Sequence, residues 1–326
     1  MINRNIFSIT GGLGNQLFQL AAALNLQNDG SFYIETELGV PRRNSDGLAE
    51  ILSYSLPDNL ENLKERKFRW ITSKAVGYRL RMEIYPRNYE KIELIRKFLE
   101  FSSNVVLSLQ IRKKYRILPA EGLGYNEISL SGTNNFVIGY FQSYKWASEP
   151  RVLEILKNLK LTSNLQEIED YKALALVEKP LVVHIRLGDY KNQSTFGIPG
   201  PDYYENAIKE LWKSGAYKKI WIFSDEPDLA GSKLPIQYTE HYRWVNEVGG
   251  SPSATLEVMR LGTGYVIANS SFSWWGAFLS TSDSPKVICP FPWFIGEISP
   301  KELIPPNWSQ LPISIDQKGE ANASLK

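Results

Sequence analysis

The second half of the chain repeats one rhythm, a short apolar run followed by a helical one, and few folds accept it. Residues 181–185 (LVVHI), 220–223 (IWIF), 265–268 (YVIA) and 286–289 (KVIC) each read as a strand. Between them, residues 202–213 carry Tyr203, Ala207, Ile208 and Leu211 on one helical face. Residues 254–261 read as a second helix, and 274–279 as the start of another. Strands alternating with helices in this way call for βαβ crossovers and a parallel sheet. Ligands of such sheets bind beyond the carboxyl ends of the strands. The polar clusters that follow LVVHI, IWIF and YVIA all fall there.

The first half opens in the same way. Residues 5–9 read as a strand, and a glycine-rich turn runs from Thr10 to Asn15. A helix over 16–28 places Leu17, Leu20, Ala21 and Leu24 at helical spacing, and 32–34 read as the next strand. Over 39–125 the pattern is weaker, with helices expected at 60–67 and 92–101. A strand is expected at 136–141, then helices at 152–159 and 165–177. Glu178-Lys179-Pro180 breaks the pattern and sets the expected boundary, with domains 1–178 and 179–326. A length of 326 residues accommodates both.

Composition removes several function classes. One cysteine, Cys289, allows no intrachain disulfide, and with only His184 and His241 beside it there is no Cys/His zinc site. There is no HExxH, GxSxG or GxxxxGK[ST]. A net charge of +2 does not call for nucleic acid as a partner. The N-terminus has no apolar run behind its charge, and no stretch reaches the length of a membrane span. The expected location is the cytoplasm, with peripheral association at the inner face of the membrane left open.

Four constellations carry chemistry. In the glycine turn, Gly11, Gly12, Gly14 and Asn15 lie between a strand and a helix, where backbone N–H groups can meet an anion. Gly12-x-Gly14 followed by Glu35 begins a dinucleotide fingerprint, but Leu17 stands where its third glycine belongs. A plain tight turn reads the same residues equally well. In His184-Ile185-Arg186-Leu187-Gly188-Asp189-Tyr190, Arg186 sits at a strand end, where a guanidinium can hold two phosphate oxygens. Asp189 can accept a proton, orient Arg186 or cap the loop; a surface Arg–Asp pair is the alternative. Ser270, Ser271, Phe272 and Ser273 open a helix after a strand, as an anion site or as an ordinary N-cap. Asp225, Glu226 and Asp228 are spaced to hold Mg²⁺ or Mn²⁺, or to make an acidic turn with Pro227. The adjacent Trp274 and Trp275 read as core, and His241 as a satisfied histidine. Arginine, hydroxyls and a carboxylate at three strand ends suit a nucleotide-diphosphate site without a metal.

GGLGNQLFQ (11–19), GYFQSYKW (139–146), HIRLGDY (184–190), FSDEP (223–227) and IANSSFSWWGAFLS (267–280) occur in this order. Together they resemble the bacterial α-1,2-fucosyltransferases of glycosyltransferase family 11, from Gly11 to about Phe294. The resemblance implies an α/β fold of GT-B type, two Rossmann-like domains facing across a cleft, the second binding GDP-β-L-fucose. It implies inverting transfer of fucose to the 2-hydroxyl of a galactose in an oligosaccharide or surface-glycan precursor, such as an O-antigen precursor, with no metal or other cofactor. Residue by residue, it implies that Arg186 holds the β-phosphate, that His184 meets the nucleoside and that Asp225 lies near the guanosine. It also implies that the 270–273 segment closes on the diphosphate and that the glycine loop holds the diphosphate or sugar. Asp189 is the candidate base. Leu187 stands where many relatives have a second arginine, and Thr255 where many have an acid. Motifs that grip GDP do not read the sugar, so another GDP-6-deoxyhexose such as colitose is the alternative donor. A nicotinamide oxidoreductase and a non-catalytic carbohydrate-binding protein are more distant readings.

Overall fold

The computed structural model describes residues 5–27, 32–37, 44, 47–63, 74, 77, 97–98, 101–102, 105–106, 109, 116–120, 122–130, 134–188, 190, 197–295, 299–300 and 302–313. The chain divides into two compact units. The first is Met1–Thr162 with Pro300–Ile304, and the second is Ser163–Ser299 with Pro305–Lys326. Each is built on its own sheet, and every strand pairing in both sheets is parallel among the described residues.

The first unit holds strands β1 (Asn5–Ser8), β2 (Phe32–Glu35), β3 (Leu60–Asn62), β4 (Arg116–Pro119) and β5 (Asn135–Ile138), in the order β3-β2-β1-β5-β4. Central β1 pairs Phe7 with Ile34 on one side and with Val137 on the other. Helix α1 (Leu13–Leu26) buries nearly its whole surface, as its Leu- and Ala-rich sequence requires. Short helices α2 (Tyr144–Ala147) and α3 (Pro150–Lys157) follow β5. The expected helix at 60–67 is corrected at its start: Leu60–Asn62 pairs in register with Phe32–Ile34 as an edge strand. Residues 64–67, and the expected helix at 92–101 apart from 97–98 and 101, lie outside the described residues.

The second unit contains α4 (Gln166–Glu178), β6 (Leu181–Ile185), α5 (Pro201–Trp212), β7 (Ile220–Ser224), α6 (Pro227–Ala230), β8 (Tyr242–Val245), α7 (Pro252–Met259), β9 (Gly264–Val266), α8 (Ser271–Phe278), β10 (Lys286–Phe291) and β11 (Ser309–Pro312). The sheet order is β11-β10-β9-β6-β7-β8. β6 is buried along its whole length, which is why it reads as a continuous apolar run. Pro201 starts α5, which buries Tyr203, Tyr204, Ala207, Ile208 and Leu211. The Tyr203 hydroxyl donates to Ile267 O at 2.6 Å, so its one polar atom is satisfied within the core. Trp274 and Trp275 are fully buried, and Trp274 stacks on Phe278 at 4.5 Å, so both are core residues.

The division between units falls at Thr162/Ser163, whereas the sequence places it after Glu178. Helix α4 belongs with the second unit because its side chains are tied there. Glu167 Oε2 accepts the Gly249 N–H at 3.0 Å, and Tyr171 meets the Trp221 ring at 5.4 Å. Glu178 accepts the Trp221 indole N–H at 2.6 Å and pairs with Arg243. Both units are Rossmann-like, as the expected α/β, GT-B type fold requires. No described helix is long and apolar enough to cross a membrane.

Candidate functional site

The order of the second sheet reverses at β6: β7 and β8 extend to one side, β9 to β11 to the other. Such a switch point leaves a crevice beyond the carboxyl ends of the central strands. The segments leaving β6, β7 and β9 carry Arg186, Asp225 and residues 269–273. Arg186 Nη1 lies 3.3 Å from Asp225 Oδ2, with side chains 19% and 22% exposed. The other oxygen, Asp225 Oδ1, accepts the Leu187 N–H at 3.0 Å. Asp225 therefore fixes both the guanidinium and the backbone that carries it. Gly188 permits this, since a Cβ there would collide with Asp225 Oδ2.

His184 ends up beneath this pair. It is 4% exposed, and its Nδ1 is buried with no partner among the described residues. Burial lowers its pKa to about 3, Arg186 adds to the shift, and Asp225 opposes it. The imidazole is therefore neutral and can accept a hydrogen bond from a ligand hydroxyl or N–H. Its ring lies 6.1 Å from that of Phe272.

Helix α8 begins at Ser271, with Ser270 as its N-cap residue, and the Ser270 side chain makes no capping bond among the described residues. The first N–H groups of a helix can meet an outside acceptor, and the helix dipole favours an anion there. The serines divide their roles. Ser273 is fully buried, and its hydroxyl turns back to Ser270 O at 3.3 Å. Ser271 and Phe272 are partly exposed.

Two residues without a sequence-assigned role complete the site. The Tyr190 ring lies 5.7 Å from the Arg186 guanidinium, and its hydroxyl donates to Asn269 O at 3.0 Å. Asn269 donates to Gly197 O at 2.9 Å and to Trp293 O at 3.0 Å, fixing the turn before α8. Both sit inside the motifs quoted above, which was the signal available. Asp189 lies outside the described residues.

The two departures from the family pattern have local explanations. Leu187 is 3% exposed and packs into the core. Thr255 Oγ1 accepts the Val248 N–H at 2.9 Å and donates to Ser251 O at 3.0 Å, and Glu257 is bound to Arg260 Nη1 at 2.8 Å. Among the described residues no three His, Cys, Asp or Glu side chains group as metal ligands. His241 lies at 4.9 Å from Trp212, with Nε2 3.4 Å from Glu240 Oε1.

The glycine loop belongs to the first unit. Gly11 has φ +75°, a conformation that favours glycine, and Gly12 is the N-cap of α1. The Asn15 and Gln16 N–H groups both bond Gly12 O, at 2.9 and 3.0 Å. Gly14 is buried in the first turn. Two glutamines hold the loop in place. Gln16 donates to Gly11 O and accepts from the Ile51 N–H, both at 2.8 Å. Gln19 accepts from the Thr10 N–H at 2.8 Å and donates to Gly139 O at 2.9 Å. Asn15 Oδ1 accepts from Gln142 Nε2 at 2.9 Å. Glu35 is fully buried at the end of β2 and accepts the Glu37 N–H. Leu17, at the third fingerprint position, is a core residue.

Residues 7–309 match the model of a family described as glycosyl transferase family 11. The chain is 29% identical over 325 residues to the O-antigen biosynthesis glycosyltransferase WbnK of Escherichia coli, covering 93% of this chain and 99% of that protein. It is 26% identical over 323 residues to an alpha-1,2-colitosyltransferase of Escherichia coli, covering 93% and 97% respectively. Among solved structures, the E. coli ADP-heptose LPS heptosyltransferase II superposes with a TM-score of 0.49 at 10% identity, covering 95% of this chain and 90% of that one.

Proposed function

The chain belongs to glycosyl transferase family 11, and from that premise we propose that it transfers L-fucose from GDP-β-L-fucose to the 2-hydroxyl of a galactose, with inversion. The acceptor oxygen attacks the anomeric carbon as the bond from that carbon to the diphosphate oxygen breaks. The acceptor proton passes to a base, for which Asp189 is the candidate, and GDP departs with the bonding electrons. Most of the developing negative charge lies on the diphosphate. Fixed donors placed where charge grows stabilise the transition state more than the ground state.

The observation that carries the reading is the Arg186–Asp225 pair beside the start of α8, at the carboxyl ends of adjacent strands. Arg186 is assigned the β-phosphate and the Ser270–Ser273 segment, Phe272 included, the remaining diphosphate oxygens. His184, neutral and with a buried Nδ1 that has no partner among the described residues, is assigned the nucleoside. The family resemblance puts Asp225 near the guanosine; its two bonds favour the task of holding Arg186. Gly11, Gly12, Gly14 and Asn15 are assigned the diphosphate or sugar. The reaction is proposed to need no metal, which fits a carboxylate already committed to Arg186 and the Leu187 amide. We place the reaction in the cytoplasm, on an O-antigen or other surface-glycan precursor.

A second reading keeps the chemistry and replaces fucose by colitose, and the colitosyltransferase relative favours it. Incubation with GDP-fucose and with GDP-colitose against a panel of β-galactosides, with the product linkage assigned by NMR, separates the two. The proposal expects an α-1,2-linked fucoside. Transfer from GDP-colitose alone selects the second reading, and no transfer from either donor to any galactoside defeats both.

A further inference from the structure

The first sheet also has a switch point. Its order β3-β2-β1-β5-β4 reverses between β1 and β5. The segment after β1 is the glycine loop, and the segment after β5 is Gly139-Tyr140-Phe141-Gln142-Ser143. The two are joined at this point by one pair of side-chain amides, Gln142 Nε2 donating to Asn15 Oδ1 at 2.9 Å.

Several features fix where Gln142 emerges. Gly139 O is held by Gln19, and a Cβ at Gly139 would come within 2.6 Å of the Ala120 Cβ. Phe141 has φ +54°, a conformation few non-glycine residues adopt, and its ring meets Trp146 edge-on at 6.0 Å. The Gln142 N–H donates to Leu123 O at 2.6 Å. The Gln142 side chain is 9% exposed, and its Oε1 is buried with no partner among the described residues. A left-handed non-glycine residue beside a buried, half-satisfied amide is a costly arrangement, of the kind that clusters where geometry serves a ligand.

With its carbonyl oxygen engaged by Gln142, Asn15 turns one acceptor bond inward and has two Nδ2 hydrogens to offer. We propose that Gln142 is a positioning residue that fixes the Asn15 amide as a hydrogen-bond donor toward oxygen atoms of the sugar nucleotide. This inference rests on the reading of the chain as a GDP-sugar transferase. Reversing both amides would make Gln142 the acceptor and Asn15 an acceptor toward the ligand, which repels phosphate and glycosidic oxygens. Gln142→Glu imposes that reversal at nearly constant shape, because a carboxylate only accepts.

The test is steady-state turnover of GDP-fucose on a β-galactoside by the full chain and by Asn15→Ala, Gln142→Met, Gln142→Glu and the Asn15→Ala/Gln142→Met double variant. Asn15→Ala should lower kcat by roughly 10²-fold, as loss of a charge-stabilising donor does. Each Gln142 variant should lower kcat by on the order of 10- to 100-fold with the acceptor KM unchanged, Gln142→Glu the more severely. In the Asn15→Ala background, Gln142→Met should cost almost nothing further, because Gln142 acts through Asn15. An equal loss in both backgrounds overturns the proposal, and so does wild-type kcat in Gln142→Glu. If Gln142→Met fails to fold, Gln142→Glu still decides between the outcomes. Arg186→Ala is the control for the underlying reading. A large loss there without Asn15–Gln142 coupling removes this inference alone. No GDP release by the wild type from any GDP-6-deoxyhexose removes both.

Discussion

Replacing Gly188 by alanine separates the proposed positioning of Arg186 by Asp225 from any use of Asp225 in folding. A Cβ at Gly188 falls well inside contact distance of Asp225 Oδ2, the oxygen that pairs with Arg186 Nη1 at 3.3 Å. Restoring ordinary carbon–oxygen contact moves that oxygen by about 1 Å. A shift of this size breaks the pairing and strains the 3.0 Å bond from the Leu187 N–H. The Asp225 side chain is 22% exposed and can swing toward water, so the stability cost should stay below about 1 kcal/mol. Turnover should respond far more, since a displacement of about 1 Å in a positioned group can cost on the order of 10²-fold. GDP release at saturating donor, read beside the melting temperature, measures both quantities. Near-wild-type turnover with an unchanged melting temperature would refute the claim that Asp225 sets Arg186 for catalysis. A fall in turnover matched by unfolding would refute the claim that its role is to position Arg186 rather than to support the fold.

Two further predictions concern stability. His184 has a pKa of about 3 when folded, chiefly from burial, and near 6.5 when unfolded. Below about pH 6.5 the unfolded chain binds a proton that the folded chain refuses. Stability from this residue should therefore fall by up to about 1.4 kcal/mol per pH unit until about pH 3, and be independent of pH above 6.5. Urea denaturation between pH 7 and pH 5 should show a shallower dependence in His184→Gln than in the wild type, and equal slopes would contradict the assignment. At Glu178, burial alone would raise the pKa, but Arg243 and the Trp221 indole bond the ionised form and hold it below the usual range. Glu178→Ala leaves the fully buried Trp221 N–H without its acceptor and should cost about 2 kcal/mol, whereas Glu178→Gln, which keeps an acceptor, should cost less. Equal losses by chemical denaturation would show that the indole bond is not the main contribution.

The sequence disclosed the central strands and concealed the edges. β6, β7 and β9, and β1, β2 and β5 in the first unit, are buried on both faces and read as apolar runs. The four edge strands, β3, β4, β8 and β11, gave no such signal. Their sequences, LEN, RILP, YRWV and SQLP, carry charges, amides and prolines, because the faces of these strands are only partly covered and an edge tolerates residues that discourage further pairing. The site divided in the same way. The placement of Arg186 and His184 at a strand end and of the serine segment at a helix start was legible, because these are local features. That Asp225 pairs with Arg186 was not, because the two residues are 39 positions apart and meet only through the register of β6 on β7. The Asn15–Gln142 contact, spanning 127 positions, was hidden for the same reason, although both residues lie in motifs visible in the sequence.

A positioned guanidinium, with no metal, is proposed to receive the charge of the departing diphosphate. The most direct test is the initial rate of GDP release from GDP-fucose, with a saturating β-galactoside, for the wild type with and without EDTA and for Arg186→Ala. The wild-type rate should be unchanged by EDTA, and the variant should lose roughly 10²- to 10³-fold. Abolition by EDTA with recovery on adding Mg²⁺ or Mn²⁺, or near-wild-type turnover by Arg186→Ala, would contradict the proposal.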